Sequence, residues 1–230
     1  MKLPFISLII ITGILSGSVL INQNSLLFFS VQAKLLCSLF LLIIIFYNYI
    51  SSTPTTPCYL YARWIFFGMA FGFIGDLIMM EIIPIHNYIV GGIITLGIGH
   101  LCYINAFNSI LSKIQEIPVF IRIIFPVIIL TSTIWGVIIY SPIMSLSISI
   151  STLFYGLLLM IMVGYAIILV RLRSEFILVA IGAILFSISD IILGNNLYKG
   201  DILQGSYSFI FYIIGQWGII MSSFSCRCQE

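Results

Sequence analysis

The sequence predicts an all-α, polytopic transmembrane bundle of eight helices in one domain spanning residues 1–230, and composition, length and the spacing of polar breaks are what predict it. Hydrophobic residues make up 61% of the 230 and charged residues 7%, with a mean hydropathy of +1.24. That leaves too little polar surface to cover a water-soluble globule, so lipid must be the solvent. A helix needs roughly 20 apolar residues to cross the hydrocarbon core, so this length holds about eight crossings and almost no domain outside them. Any function must sit inside the bundle.

The spans follow in order. Met1-Lys2 and the apolar run from Leu3 to Ile21 imitate a secretory leader but lack a small-residue cleavage site, and read as an uncleaved first span. A second, short span covers about 35–50, and the Ser51–Pro57 stretch after it cannot stay helical. Spans three and four cover about 60–80 and 89–107. The fifth, about 120–140, contains Pro126, which a membrane helix tolerates where neighbours satisfy the freed carbonyl. A tight junction at 141–145 leads to spans near 145–170, 176–194 and 207–224.

Charge sets the orientation. Lys2, Arg63, Lys113, Arg122, Arg171, Arg173 and Arg227 fall on one side of this topology, and only Lys34 and Lys199 on the other. The positive-inside rule then places both termini in the cytoplasm, in the inner membrane if the host is bacterial. The net charge of +2 comes without a basic run that could track a phosphate backbone, which excludes nucleic acid as a partner. The five cysteines are scattered and odd in number, so neither a disulfide framework nor a structural zinc is expected.

Of seven acidic residues, Glu81, Glu116, Glu175, Asp201 and Glu230 fall in loops or the tail, while Asp76 and Asp190 fall inside spans three and seven. A carboxylate at bilayer depth costs at least ~2.5–3.5 kcal/mol on insertion scales and marks a site by default. Each lies roughly fifteen residues into a span that runs outward, or about 22 Å, so the two are expected at a shared depth in the outer half. Small residues accompany them: Gly68, Gly72 and Asp76 recur in steps of four, and Ala183, Ser187, Asp190 and Gly194 form a second stripe. The plain alternative is a pair of helix-packing seams, each with an acid plugged into a hydrogen bond.

Span four adds Gly99-His100 with Tyr103, and span eight adds Tyr212 and Gln216 on one helix face. Gly75-Asp76 with Gly99-His100, and Ser189-Asp190 with Gly215-Gln216, repeat at separations of 24 and 26 residues. An offset of four helices would make two parallel four-helix repeats with both acids on one side. After span seven, Asn195, Asn196, Tyr198 and Lys199 read as an outer loop able to meet a polar headgroup. Cys226-Arg227-Cys228 reads as a tail at the cytoplasmic interface, where an acyl chain is not expected.

Gly75-Asp76, Gly99-His100-Leu101-Cys102-Tyr103 with Ala106-Phe107, Ser189-Asp190 with Asn196 and Tyr198, and Tyr212 with Gln216 together resemble the YhhN-like lysoplasmalogenases. The resemblance runs in order from the third helix to the eighth. It implies an eight-helix hydrolase that cleaves the vinyl ether of lysoplasmalogens to a fatty aldehyde and a glycerophospho-base, with no cofactor and a lysophospholipid as partner. It further implies that Asp76 and Asp190 are the catalytic acids, with His100, Tyr103, Ser189, Asn196, Tyr212 and Gln216 shaping the site. One departure is Leu197 and Tyr198 after the asparagines, where the resemblance would place a basic residue and Phe.

The chemistry suits two acids. A vinyl ether hydrolyses by protonation at its outer carbon, and the resulting oxocarbenium ion is captured by water as a hemiacetal. Two carboxyls sharing one proton would give a neutral acid beside an anion, as in glycosidases. The alternative from another class is a proton- or cation-coupled small-molecule transporter that uses the same two aspartates at a repeat interface. A third possibility is a structural bundle in which the acids only fix helix registry. A divalent metal held by His100 and the aspartates is a further enzymatic variant, with no His-x-x-x-His to support it.

Overall fold

The computed structural model describes residues 2–21, 30–112, 119–200 and 205–227. These form α1 (Lys2–Ile21), α2 (Val31–Ile50), α3 (Pro57–Met79), α4 (Tyr88–Leu111), α5 (Val119–Ile134), α6 (Leu146–Leu172), α7 (Ile177–Tyr198) and α8 (Gly205–Arg227). A π turn, Trp135–Ile139, extends α5, and a short 3-10 turn, Ser174–Phe176, precedes α7. No strand occurs among the described residues.

Six helices, α2, α3, α4, α6, α7 and α8, are long and apolar enough to cross a membrane. The apolar parts of α1 and of α5 with its π turn are shorter over the residues described. The outward surface is oily: Phe5, Phe125, Val137 and Ile143 are 69–79% exposed. Such residues on the outside of a bundle face lipid, because a water-facing helix would carry its charges there.

Local chemistry fixes the helix starts. Ser30, Thr56, Asn87 and Ser145 each accept a backbone N–H of the following first turn through the side chain. Pro57 stands in the first turn of α3, where its missing N–H costs nothing. Because Ser30 caps it, α2 spans twenty residues rather than the short run read from hydropathy.

Two further expectations are corrected. Asn195, Asn196 and Tyr198 belong to α7, which continues to Tyr198, and are not loop residues. The continuation has a physical use: Asn195 Nδ2 donates to the Ile138 carbonyl (2.8 Å) and Lys199 Nζ to that of Val137 (2.8 Å). Both carbonyls end the π turn and would otherwise lack partners in oil. The cysteines do pair: Cys58 at the start of α3 and Cys226 at the end of α8 form a disulfide across a sequence separation of 168. Scattered spacing hid it, since the bundle alone brings those two helix ends together. Cys228 and the loop carboxylates Glu116, Asp201 and Glu230 lie outside the described residues.

Glycine sets how close the helices come. A Cβ at Gly99 would stand 3.0 Å from the Gly68 carbonyl, fixing the α3–α4 approach. One at Gly215 would stand 2.7 Å from the Phe186 N and 2.8 Å from the Gly182 carbonyl, fixing the α7–α8 approach. These are backbone atoms that cannot step aside, so the small-residue seams are steric requirements. Gly215→Val should cost about 1–3 kcal/mol by overpacking, read as a lower unfolding midpoint in detergent. Gly136→Ala, which meets nothing within 4 Å, should leave that midpoint unchanged. Equal behaviour of the two variants would show that the seam is looser than described.

Candidate active site

Asp76 lies in the last turn of α3, three residues before its end at Met79. Its Oδ2 accepts from Ser38 Oγ of α2 at 2.7 Å and from the Tyr212 hydroxyl of α8 at 2.8 Å. The side chain is 9% exposed and Ser38 fully buried, so these hydroxyls do for the carboxyl what water would do outside.

Asp190 sits on α7, eight residues before its end. Its Oδ2 accepts from the Tyr155 hydroxyl of α6, and the same hydroxyl is 2.9 Å from His100 Nε2 on α4. His100 Nε2 itself stands 4.0 Å from Asp190 Oδ2. Its Nδ1 is buried with no hydrogen-bond partner. Phe186, one helical turn before Asp190, packs its ring edge-on to His100 (5.1 Å) and against Tyr212 (5.2 Å). A continuous run of contacts thus leads from Asp76 through Tyr212, Phe186, His100 and Tyr155 to Asp190.

Asp190 and Tyr155 also form part of the wall of a cleft of about 820 Å³, measured out to its open mouth, between α4, α5, α6 and α7. Its lining is otherwise almost entirely apolar, Trp135 and Leu159 among it, with Thr131, Thr152 and Tyr198 as polar exceptions. Asp76 is not among the lining residues. The aspartates therefore differ in surroundings: Asp190 lines this cleft and Asp76 does not. They differ in helix register as well, because α3 ends sooner after its acid than α7 does.

The other predicted residues divide into two groups. Tyr103 donates to Gln216 Oε1 at 2.6 Å, and a Cβ at Gly72 would come within 3.4 Å of Gln216 Nε2 and 3.8 Å of the Tyr212 hydroxyl. Tyr103, Tyr212 and Gln216 thus converge on the face of α3 that carries Asp76. Ser189 instead pairs with Ser208, its Oγ 3.3 Å from that of Ser208 and its carbonyl accepting from it at 3.1 Å. Asn196 is half-buried near the end of α7 and does not line the cleft. No three His, Cys, Asp or Glu side chains converge as metal ligands among the described residues.

Sequence reasoning missed Ser38 and Tyr155. A hydroxyl in an apolar run is commonplace, so neither residue signalled itself. The one usable sign was Lys34, a charge placed one turn from Ser38 on the otherwise oily α2.

A family model described as the YhhN family matches residues 29–223, from just before α2 into α8. No curated protein and no solved structure matches the chain.

Tyr155→Phe removes the hydroxyl shared by Asp190 and His100 and leaves two buried polar groups short of a partner. It should destabilise the fold by about 1–3 kcal/mol, measured by thermal unfolding in detergent. An unchanged midpoint would show that the three groups do not depend on one another.

Proposed function

The chain belongs to the YhhN family, and on that premise we propose that it is an intramembrane hydrolase that cleaves the vinyl ether of lysoplasmalogens to a fatty aldehyde and a glycerophospho-base. The observation that carries this reading is a carboxyl, Asp190, set into the wall of an apolar cleft and joined to a second, Asp76, through Tyr155, His100, Phe186 and Tyr212. An apolar cleft suits an alkenyl chain, and an acid in its wall suits an electron-rich alkene.

Asp190 is the proton donor in this scheme because it faces the cleft. Its carboxyl proton goes to the alkene carbon farther from the ether oxygen. A C–H bond forms, the π bond breaks, and positive charge spreads over the neighbouring carbon and the oxygen. Asp76, which accepts two donated hydrogen bonds, is the carboxylate of the pair in this scheme and steadies that cation. Water then adds to the cationic carbon and returns a proton to Asp190. The hemiacetal collapses, the C–O bond to glycerol breaks, and aldehyde and alcohol leave with the enzyme restored. Tyr155 and His100 orient the Asp190 carboxyl, and Tyr103 and Gln216 brace Tyr212.

The test is aldehyde release by purified protein in detergent from a defined lysoplasmalogen, with no ion gradient. Asp190→Asn and Asp76→Asn should each lower the rate by ~100-fold or more, since a positioned acid or base contributes 10²–10⁴. Both variants should unfold near the wild-type temperature. Full activity in both would remove the aspartate mechanism. Solute flux in liposomes that needs a gradient, with no aldehyde formed, would transfer the site to a carrier.

A further inference from the structure

Thr131 lines the cleft and takes no part in the scheme above. It lies on α5, is 3% exposed, and its Oγ1 has no hydrogen-bond partner. A threonine inside a helix ordinarily returns its hydroxyl to a carbonyl one turn back, and Thr12, Thr95, Thr133 and Thr152 each do so. Thr131 does not. A buried hydroxyl kept from water and from its own backbone is a cost to the fold unless something else bonds it. The hydroxyl of Tyr198, also in the lining, is unpartnered too, but it belongs to a half-buried residue at the very end of α7. Thr131 lies inward of the π turn, where only what enters the cleft can reach it.

Its position relative to Asp190 gives it a use. The antiparallel register of α5 and α6 is set along its length: Trp135 Nε1 donates to Thr152 Oγ1 at 3.0 Å, a Cβ at Gly156 would stand 3.2 Å from Thr131 Cγ2, and one at Gly164 would stand 2.9 Å from the Ile123 side chain. Thr131 therefore rests on Gly156. The residue before it, Tyr155, gives its hydroxyl to Asp190 of α7. Successive helical residues point about 100° apart, so a single turn of α6 carries Thr131 against one flank and Asp190 against the other. All four residues line the same cleft, and Ile134, Leu159, Met160 and Ile191 beside them are apolar. A ligand lying on that turn has the carboxyl on one side and the unbonded hydroxyl on the other.

We propose that the Thr131 hydroxyl, set across the α6 turn from Asp190, exchanges a hydrogen bond with a free hydroxyl on the glycerol of the lipid whose ether bond lies at Asp190, and thereby selects lipids that carry that hydroxyl. The assignment rests on the lipid-hydrolase reading and deepens it by naming a residue that determines specificity. In such a lipid the middle glycerol carbon is bonded to the carbon that bears the ether oxygen. Its hydroxyl is thus four bonds from the reacting vinyl carbon, about 5 Å when extended. It enters the cleft together with the reacting bond and needs a partner on the same turn. A lipid without it would cover the threonine oxygen and offer nothing in return, and a site that bonds a hydroxyl rejects the analogue lacking one.

Binding of lipids that cannot be cleaved tests this separately from turnover. The probes are a saturated 1-alkyl lysophospholipid with its middle hydroxyl free, and the same lipid with hydrogen in place of that hydroxyl. Wild type should bind the first ~10-fold more tightly. Thr131→Val keeps the shape and removes the hydroxyl; it should erase the ~10-fold preference by weakening the hydroxylated lipid alone, and Thr131→Ser should retain it. The unfolding midpoint of Thr131→Val should equal or exceed that of wild type, because the fold loses an unpartnered hydroxyl. A marked fall in that midpoint would assign the hydroxyl to the bundle and overturn the proposal. Equal weakening of both lipids would move the contact to an atom they share, such as the ether oxygen. Unchanged binding of both with slower aldehyde release would make Thr131 the holder of the attacking water. Either result also overturns the proposal. Lipid binding as described, with no aldehyde released by wild type from a vinyl-ether lysolipid, would leave the hydroxyl contact standing and fail the hydrolase reading alone.

Discussion

The organisation of this bundle depends on satisfying two carboxyl groups where there is no water. A buried acid without donors would cost more than a single helix contact returns, so the structure must bring hydroxyls to each one. Asp76 obtains them from α2 and α8, and Asp190 from α6 with His100 of α4 close by. Six of the eight helices are thereby committed to two side chains. The glycine seams follow from the same need. Without Gly68, a methyl group would stand 2.3 Å from the Tyr103 ring, and the tyrosine that bonds Gln216 could not lie between α3 and α4.

That constraint explains which parts were legible in the sequence. Eight apolar segments and two acids inside them stand out because hydropathy and charge are properties of residue type alone. The partners of those acids do not stand out. Ser38 and Tyr155 are ordinary in an oily helix, and only packing tells which of many hydroxyls faces a carboxyl. The α7 terminus illustrates the reverse error: Asn195 looks like a loop residue by composition, but a π turn on α5 left carbonyls that its side chain, and that of Lys199 in the turn after α7, fill. Asp76 stands three residues before the end of α3 and Asp190 eight before the end of α7, because Asn195 to Tyr198 prolong α7 past its apolar run.

The disulfide and the charge pattern pull in different directions. Cys58 and Cys226 lie on the side to which the arginines and lysines assign the cytoplasm, where disulfides are rare. Burial moderates the conflict. Each cysteine is 6% exposed, and exchange requires a thiolate to reach the bond in line, so reductants have poor access whichever compartment lies outside. The bond ties the start of α3 to the end of α8, the two helices that supply Asp76 and Tyr212, and so it fixes the far ends of the pair that must meet at the acid.

The hydrogen bonds around the acids also bear on how the fold is built. If α1–α4 and α5–α8 are parallel repeats, α2 corresponds to α6, α3 to α7 and α4 to α8. Ser38 of α2 bonds Asp76 of α3, and in the corresponding helices Tyr155 of α6 bonds Asp190 of α7. The second partner crosses over in both cases. Tyr212 of α8 reaches Asp76 in the first half, and His100 of α4 approaches Asp190 in the second. Each acid is thus served by the preceding helix of its own half and the last helix of the other, the pattern that a two-fold relation between halves requires. Neither half alone could satisfy its acid, because the crossing partner would be missing. A single four-helix unit with this pattern would have to pair with a copy of itself, which gives the two aspartates a physical reason to share one network of contacts. The halves differ in a serine against a tyrosine and a tyrosine against a histidine, and of the two acids it is Asp190 that lines the apolar cleft.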